Sequence, residues 1–193
     1  MLSYLSQWLY RINRWWITLI AGILFILFVI TVFPAHTGYL TNGKTETKLF
    51  SPDLSLWYSK TVIYNFASTL GSEGRKAYVR EHFTFDLAWP VVYLVFLTTL
   101  ITWLNSFILN SGIFFKLIHK GNIIPLFAFI FDIIENILSS VIVAHFPKKY
   151  PLISSLAPIA TLLKWIFVAI SILIIIMVIL LLLSKLISKL FNF

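Results

Sequence analysis

The sequence predicts an all-α integral membrane protein: a four-helix transmembrane bundle with an extra amphipathic helix in the long loop between spans 1 and 2. Three observations predict it. The 193 residues are 60% hydrophobic and only 11% charged, against roughly 45–50% apolar and about 25% charged in soluble domains. The apolar residues gather into four runs, each long enough to cross a hydrocarbon core about 30 Å thick. The net charge of +8, from 15 Lys+Arg against 7 Asp+Glu, is scattered at the ends of those runs. That pattern reads as cationic flanks on membrane helices rather than a nucleic-acid patch. The chain has no cysteine, which excludes disulfides, thiol nucleophiles, iron–sulfur clusters and Cys-ligated zinc.

Taken in chain order, Leu2, Leu5, Leu9 and Ile12 recur at helical spacing and predict a short interfacial helix. The first span is uncharged from Trp15 to Phe33, lies between Arg11–Arg14 and Pro34, and is read over 15–34. A signal peptide has an apolar core of about 7–15 residues and a small-x-small cleavage site. This run is longer and ends Phe33-Pro34-Ala35-His36, so it is read as a retained span. Residues 35–82 form the polar excursion, a loop from His36 to Phe50 followed by a helix start at Ser51-Pro52-Asp53. Leu54, Trp57, Tyr58, Val62, Phe66 and Leu70 then step by three and four, and Gly71 ends that helix. A further helix starts at Ser72 and runs through Arg75, Tyr78 and His82 into the second span.

The second span is read over 83–109, with Asn110-Ser111-Gly112 as its stop. The third is read over 122–146 between Lys120 and Lys148. The fourth covers 156–184 and is followed by Lys185 and Lys189. No repeat or second domain is visible, so 1–193 is one membrane domain. Arg11, Arg14, Lys116, Lys120, Lys185 and Lys189 flank one side in short segments. The positive-inside rule therefore places both termini in the cytoplasm.

Charges inside the apolar runs carry the functional signal. Asp132, Glu135 and Asn136 share one face of the third span with Ala128 and Ser139, while Ile130, Ile133, Ile134, Ile137 and Val141 face the other way. An ionised group at the bilayer centre costs at least about 2.5–3.5 kcal/mol, so these side chains point inward and find partners. Lys164, on a stripe with Ala157, Thr161 and Ser171, lies at a similar depth in the fourth span. It is expected to pair with Glu135 or Asp132. Arg75, Tyr78, His82, Asp86, Trp89 and Tyr93 form a third stripe beside Pro90. Together the stripes predict a polar cavity with Asp86, Asp132, Glu135, Asn136 and Lys164 inside and Arg75, Tyr78, His82 and Tyr93 near its mouth. The 51–70 helix is placed to cover it.

No metal or cofactor is expected. His82, Asp86, Asp132, Glu135 and His145 offer donors, but no Glu-x-x-His or His-x-x-His pair occurs, and Lys164 competes for the carboxylates. The Gly-x-Ser-x-Gly elbow, a phosphate-binding glycine loop and His-Glu-x-x-His are also missing. The series Gly71-x-x-Gly74-Arg75-x-x-Tyr78, Asp86-x-x-x-Pro90-x-x-Tyr93, Asp132-x-x-Glu135-Asn136 and Lys164-Trp165 resembles small four-span bacterial integral membrane proteins. That resemblance implies the architecture and carries no activity with it.

The reading is thus a non-enzymatic multi-pass membrane protein whose polar site binds a lipid, small ligand or partner subunit. The alternatives are a proton- or ion-coupled transport unit using Asp132 or Glu135, a membrane-embedded lipid-modifying enzyme using Asp86 or Glu135, and a purely structural network. Expected partners are membrane lipid and a second copy or a larger membrane complex, not nucleic acid.

Overall fold

The structure, a computed structural model, describes residues 2–32, 51–108 and 118–191. The loop read over 35–50 with His36, the stop at Asn110-Ser111-Gly112, and Lys116 lie outside the described residues. Four helical stretches are long and apolar enough to cross a membrane: Trp15–Val32, Gly71–Asn105, Lys120–Ala144 and Ile153–Leu190. No strand occurs among the described residues.

Helix α1 (Leu2–Ile12) ends at an extended Arg14, and α2 (Trp15–Leu27) follows, closing in a π-helical stretch over Phe28–Val32. The corner between them is held by side chains. Asn13 Nδ2 donates to the Thr99 carbonyl at 2.9 Å, and Thr18 Oγ1 donates to the same oxygen at 3.2 Å. Farther along α2, Phe25 stacks on Phe96 and Trp89, and Phe28 stacks on Phe85 and Trp89. These aromatic faces, beyond the polar corner at Thr99, fix the first span against the second.

The helix expected over 51–70 is divided. Pro52–Leu54 makes one 3-10 turn, Ser55 and Ser59 are extended, and α3 runs over Lys60–Thr69. Three serines in nine positions explain the break, because short hydroxyl side chains favour caps and turns over helix interiors. The buried positions shift accordingly. Tyr58, Ile63, Phe66, Ala67 and Leu70 are inside, whereas Leu54, Trp57 and Val62 are exposed. Gly71 has φ 65° and reverses the chain between α3 and α4 (Gly71–His82).

A second break separates α4 from α5 (Phe85–Asn105), where a continuous helix was expected. Thr84 sits at φ −122° and ψ −79°, and its Oγ1 donates to the Arg80 carbonyl at 2.8 Å. The hydroxyl thus competes for a carbonyl that the helix itself would use. A 3-10 turn over Lys120–Ile123 leads into α6 (Ile124–Ala144), and α7 covers Ile153–Leu190. Lys185 and Lys189 therefore lie within the last helix and not after it, since nothing between Leu183 and Leu190 breaks helical geometry. At 1.5 Å per residue α7 is about 57 Å long, longer than the apolar slab that it crosses.

Helices α6 and α7 form the most extensive pair. Ser139, Ser140, Ser154, Ala157, Ala160 and Thr161 are all buried, and small residues of this kind let membrane helices approach closely. Phe127 and Phe131 stack on Phe167 lower in the same contact. The α3–α4 segment packs across the end of this pair: Phe66, Ala67, Leu70 and Tyr78 meet Val143, and Tyr58 and Ile63 meet Ile142 and Ala157. Tyr64 Oη accepts from the Tyr150 amide at 2.7 Å and ties α3 to the turn that joins α6 and α7.

Candidate functional site

The site lies beneath that segment, where α4, α5, α6 and α7 converge. On α6 the face that carries Ala128, Asp132, Glu135, Asn136 and Ser139 is buried throughout, whereas Ile130, Ile134 and Ile137 are exposed. On α7, Ala157, Thr161, Lys164 and Ser171 are buried. Lys164 Nζ lies 2.5 Å from Glu135 Oε2 and 3.5 Å from Asp132 Oδ1. Thr161 Oγ1 donates to Glu135 Oε1 at 2.5 Å, so both oxygens of that carboxylate are held from the neighbouring helix. Tyr93 on α5 donates its hydroxyl to Asp132 Oδ2 at 2.9 Å. Three helices therefore meet in one charged knot, in which Lys164 of α7 reaches both carboxylates and Tyr93 of α5 bonds one of them.

The remaining polar residues form a second group closer to the segment. Asn136 Nδ2 donates to the Asp86 main-chain carbonyl at 2.8 Å and anchors the first turn of α5. His82 Nδ1 lies 3.0 Å from Asp86 Oδ2 across the α4–α5 break. Tyr78 packs on the His82 ring at 3.9 Å between centroids with a 35° tilt and meets Phe66 edge-on. Asp53 reaches in from the 3-10 turn. Its side chain is bonded to Ser51 Oγ, and its main-chain carbonyl accepts from Lys164 Nζ at 3.5 Å.

The residues assigned from sequence to the mouth divide in two. Tyr78, His82 and Tyr93 are buried: Tyr78 packs under α3 against Phe66, and Tyr93 lies deeper, with Leu97 and Ala128. Arg75 is drawn aside: its guanidinium donates to the Ala67 carbonyl at 3.2 Å and lies 5.3 Å over the Phe146 ring. It ties α4 to α3 and to the α6–α7 turn.

Sequence reasoning missed Asp53, which it used only as part of a helix start, and Tyr58, which it used only as an apolar position. Tyr58 is 4% exposed. Burial, and after it the charge of Glu135, pushes its pKa up to about 12, so the phenol keeps its proton at neutral pH. The one signal for Asp53 was scarcity. Asp53, Asp86, Asp132 and Glu135 are four of the seven acidic residues in the chain, and all four come together here.

No family model, curated protein or solved structure matches the chain.

Proposed function

We propose that this chain is a multi-pass integral membrane protein that binds, and does not turn over, a positively charged ligand at the polar site under the 51–84 segment. The observation that carries this reading is the charge balance. Four carboxylates face one lysine, and Lys164 is engaged with Glu135 and Asp132. Asp53 and Asp86, beside His82, are then the two carboxyl groups of the site that no lysine or arginine pairs among the described residues. Unmatched charge at membrane depth is costly, and a cation supplied as ligand removes that cost.

An anionic head group is the poorer fit, because the two cations assigned to attract it are used internally, Lys164 by the carboxylates and Arg75 by Ala67 and Phe146. The transport alternative is the poorer fit because, among the described residues, Leu97 and Ala128 form an apolar layer between Asp132 and the separate polar cluster of Thr102 and Asn122. In this reading the α3–α4 segment caps a four-helix bundle, both termini lie in the cytoplasm of a bacterial cell, and lipid covers the exposed apolar faces of α2 and α7.

The test is thermal stabilisation of the purified full chain in detergent by a panel of cations: divalent metal ions, ethanolamine and phosphatidylethanolamine. A ligand at about 100 times its Kd adds about 2.7 kcal/mol, and each kcal/mol raises the Tm of a chain this size by about 2–4 °C. At least one cation is expected to do so in wild type and to lose the effect in the Asp53→Asn/Asp86→Asn double variant. A panel with no effect, or an effect that survives in the double variant, overturns the reading.

A further inference from the structure

We infer that Asp53, His82 and Asp86 form a binding site for a divalent first-row transition-metal ion at the junction of the 3-10 turn, α4 and α5. The inference deepens the cation-binding reading above and rests on it. One ligand atom from each of the three residues lies within 4.8 Å of the other two. Ligands bound at about 2.0–2.2 Å stand roughly 3–3.5 Å apart when adjacent on a metal and about 4 Å apart when opposed. The three donors thus already occupy the shell that a bound ion needs, with only small inward movements required.

Two further features point to an ion and not to a self-contained hydrogen-bonded cluster. His82 is 3% exposed; its ring lies within reach of the Tyr78 main chain, but neither nitrogen makes a well-aligned hydrogen bond. A buried imidazole normally satisfies at least one nitrogen, so an orphaned pair calls for an explanation. Its Nδ1 does lie 3.0 Å from Asp86 Oδ2, yet without hydrogen-bond geometry. That separation without alignment is how two donors sit when both address a third atom. Second, the supports around the donors resemble those that orient metal ligands. Ser51 Oγ bonds the Asp53 carboxylate, Asn136 fixes the Asp86 main chain, and the Tyr78 ring packs closely on the His82 ring at a tilt. Such outer partners set ligand orientation in metal sites.

The donor set decides the class of ion. One imidazole with two carboxylates suits Mn²⁺, Fe²⁺ or Zn²⁺; an all-oxygen set would favour Mg²⁺ or Ca²⁺, and thiolates would favour softer ions. Two carboxylates and a neutral imidazole bring two negative charges, which a divalent ion cancels. Three protein ligands leave at least one coordination position for water or for an oxygen of a further ligand. The sequence alone paired His82 and Asp86 with Asp132, Glu135 and His145. The fold instead assigns Asp132 and Glu135 to Lys164, and it supplies Asp53 from a segment that no spacing rule connects to His82.

The experiment uses the full chain in detergent, stripped with chelator and then dialysed to equilibrium against Mn²⁺ or Zn²⁺ separately. Wild type is expected to retain one ion per chain. The Mn²⁺ form should show nitrogen coupling in pulsed electron paramagnetic resonance, and the coupling should change when the protein is grown with isotope-labelled histidine. His82→Ala, Asp53→Asn and Asp86→Asn should each weaken binding by more than about 100-fold, since even outer-shell changes cost 10–100-fold. His145→Ala, at an exposed position, should leave binding unchanged. The spectroscopic readout needs only wild type, so a variant that fails to fold does not blunt the test. Absence of saturable binding of either ion, loss of the nitrogen coupling in His145→Ala, or retention of the ion by His82→Ala overturns the metal site. If ethanolamine or its lipid still stabilises wild type in that case, the cation-binding reading survives and the metal inference alone falls. If nothing in the panel stabilises it, both fall.

Discussion

The Lys164 ammonium and the Glu135 carboxylate face each other at 2.5 Å between α7 and α6, and Thr161 bonds the other carboxylate oxygen from the same helix as the lysine. The partners are not equivalent. If Glu135 is neutralised, Lys164 keeps Asp132 at 3.5 Å; if Lys164 is removed, both carboxylates lose the one cation paired with them among the described residues. Lys164→Met is therefore expected to cost about 3–5 kcal/mol, the usual penalty for leaving a buried charge uncompensated. Glu135→Gln is expected to cost less, about 1–3 kcal/mol. The double variant should cost less than the sum, because the stranded charge is reduced. Unfolding in mixed micelles measures all three, and strict additivity would show that the two residues are not coupled.

Tyr93 offers a cleaner test of one bond. Its hydroxyl donates to Asp132, while its ring meets Trp89 edge-on at 5.8 Å and packs with Leu97 and Ala128. Tyr93→Phe removes the bond and keeps the packing. A loss of about 1–2 kcal/mol is expected, near the upper end for interhelical hydrogen bonds in membranes. A neutral result would mean that Asp132 finds another donor when Tyr93 is changed.

Alkaline pH should loosen the segment that covers the site and, at the opposite end, the docking of α1. Tyr58 and Tyr10 have pKa values raised to about 12, chiefly by burial. The unfolded chain releases these protons near pH 10 and the folded chain holds them to about 12. Above pH 10 the unfolded state therefore binds fewer protons, and stability falls as pH rises. Each group's contribution is fully present below pH 10 and lost as pH passes through about 12. Tyr58→Phe should flatten part of this decline. Tyrosinate absorbance followed alongside unfolding would reveal the error if ionisation in the folded protein were complete near pH 10.

The four spans and the inward charges were legible because each depends on one helix at a time. A 20-residue apolar run and a three-to-four spacing are local properties, and Asp132, Glu135, Asn136 and Lys164 stand out against isoleucine and leucine. The breaks at Ser55–Ser59 and at Thr84 were missed because they arise from side-chain hydroxyls competing with the backbone, a balance that periodicity does not register. Arg75 was misplaced for a different reason. Its surroundings in sequence are polar, but its partners are the Ala67 carbonyl and the Phe146 ring, brought in by the Gly71 reversal and the α6–α7 turn. Asp53 has the same cause: tertiary proximity with no trace in the spacing.

The absence of cysteine makes orientation directly measurable. Arg11, Arg14 and Lys120 lie at the end where α1 packs on the 3-10 turn before α6, and Lys148 and Lys149 lie at the end that holds the site. With both termini in the cytoplasm, a membrane-impermeant maleimide applied to intact cells should label Lys148→Cys and Lys60→Cys. It should leave Lys189→Cys unlabelled until the cells are broken. The reverse pattern would invert the topology and place the site on the cytoplasmic side.

The end opposite the site has its own polar staple, and it predicts a local and separable effect. Ser6 Oγ on α1 donates to Asn122 Oδ1 at 2.7 Å, and Asn122 Nδ2 donates to Thr102 Oγ1 at 3.2 Å. Asn122 is fully buried. Beside it Tyr10 Oη donates to the His119 carbonyl at 2.8 Å. Little else holds α1, since Leu2, Tyr4, Trp8 and Ile12 are exposed. Asn122→Ala removes the bonds that link α1 to Thr102, while the Ser6 and Thr102 hydroxyls keep the His119 and Thr98 carbonyls, and is expected to cost about 1–2 kcal/mol. The cost should be concentrated in docking of α1. Hydrogen exchange should therefore rise across residues 2–12, while protection around Glu135 and Lys164 stays unchanged. A uniform rise over α6 and α7 would show instead that the two polar clusters are coupled through the apolar layers between them.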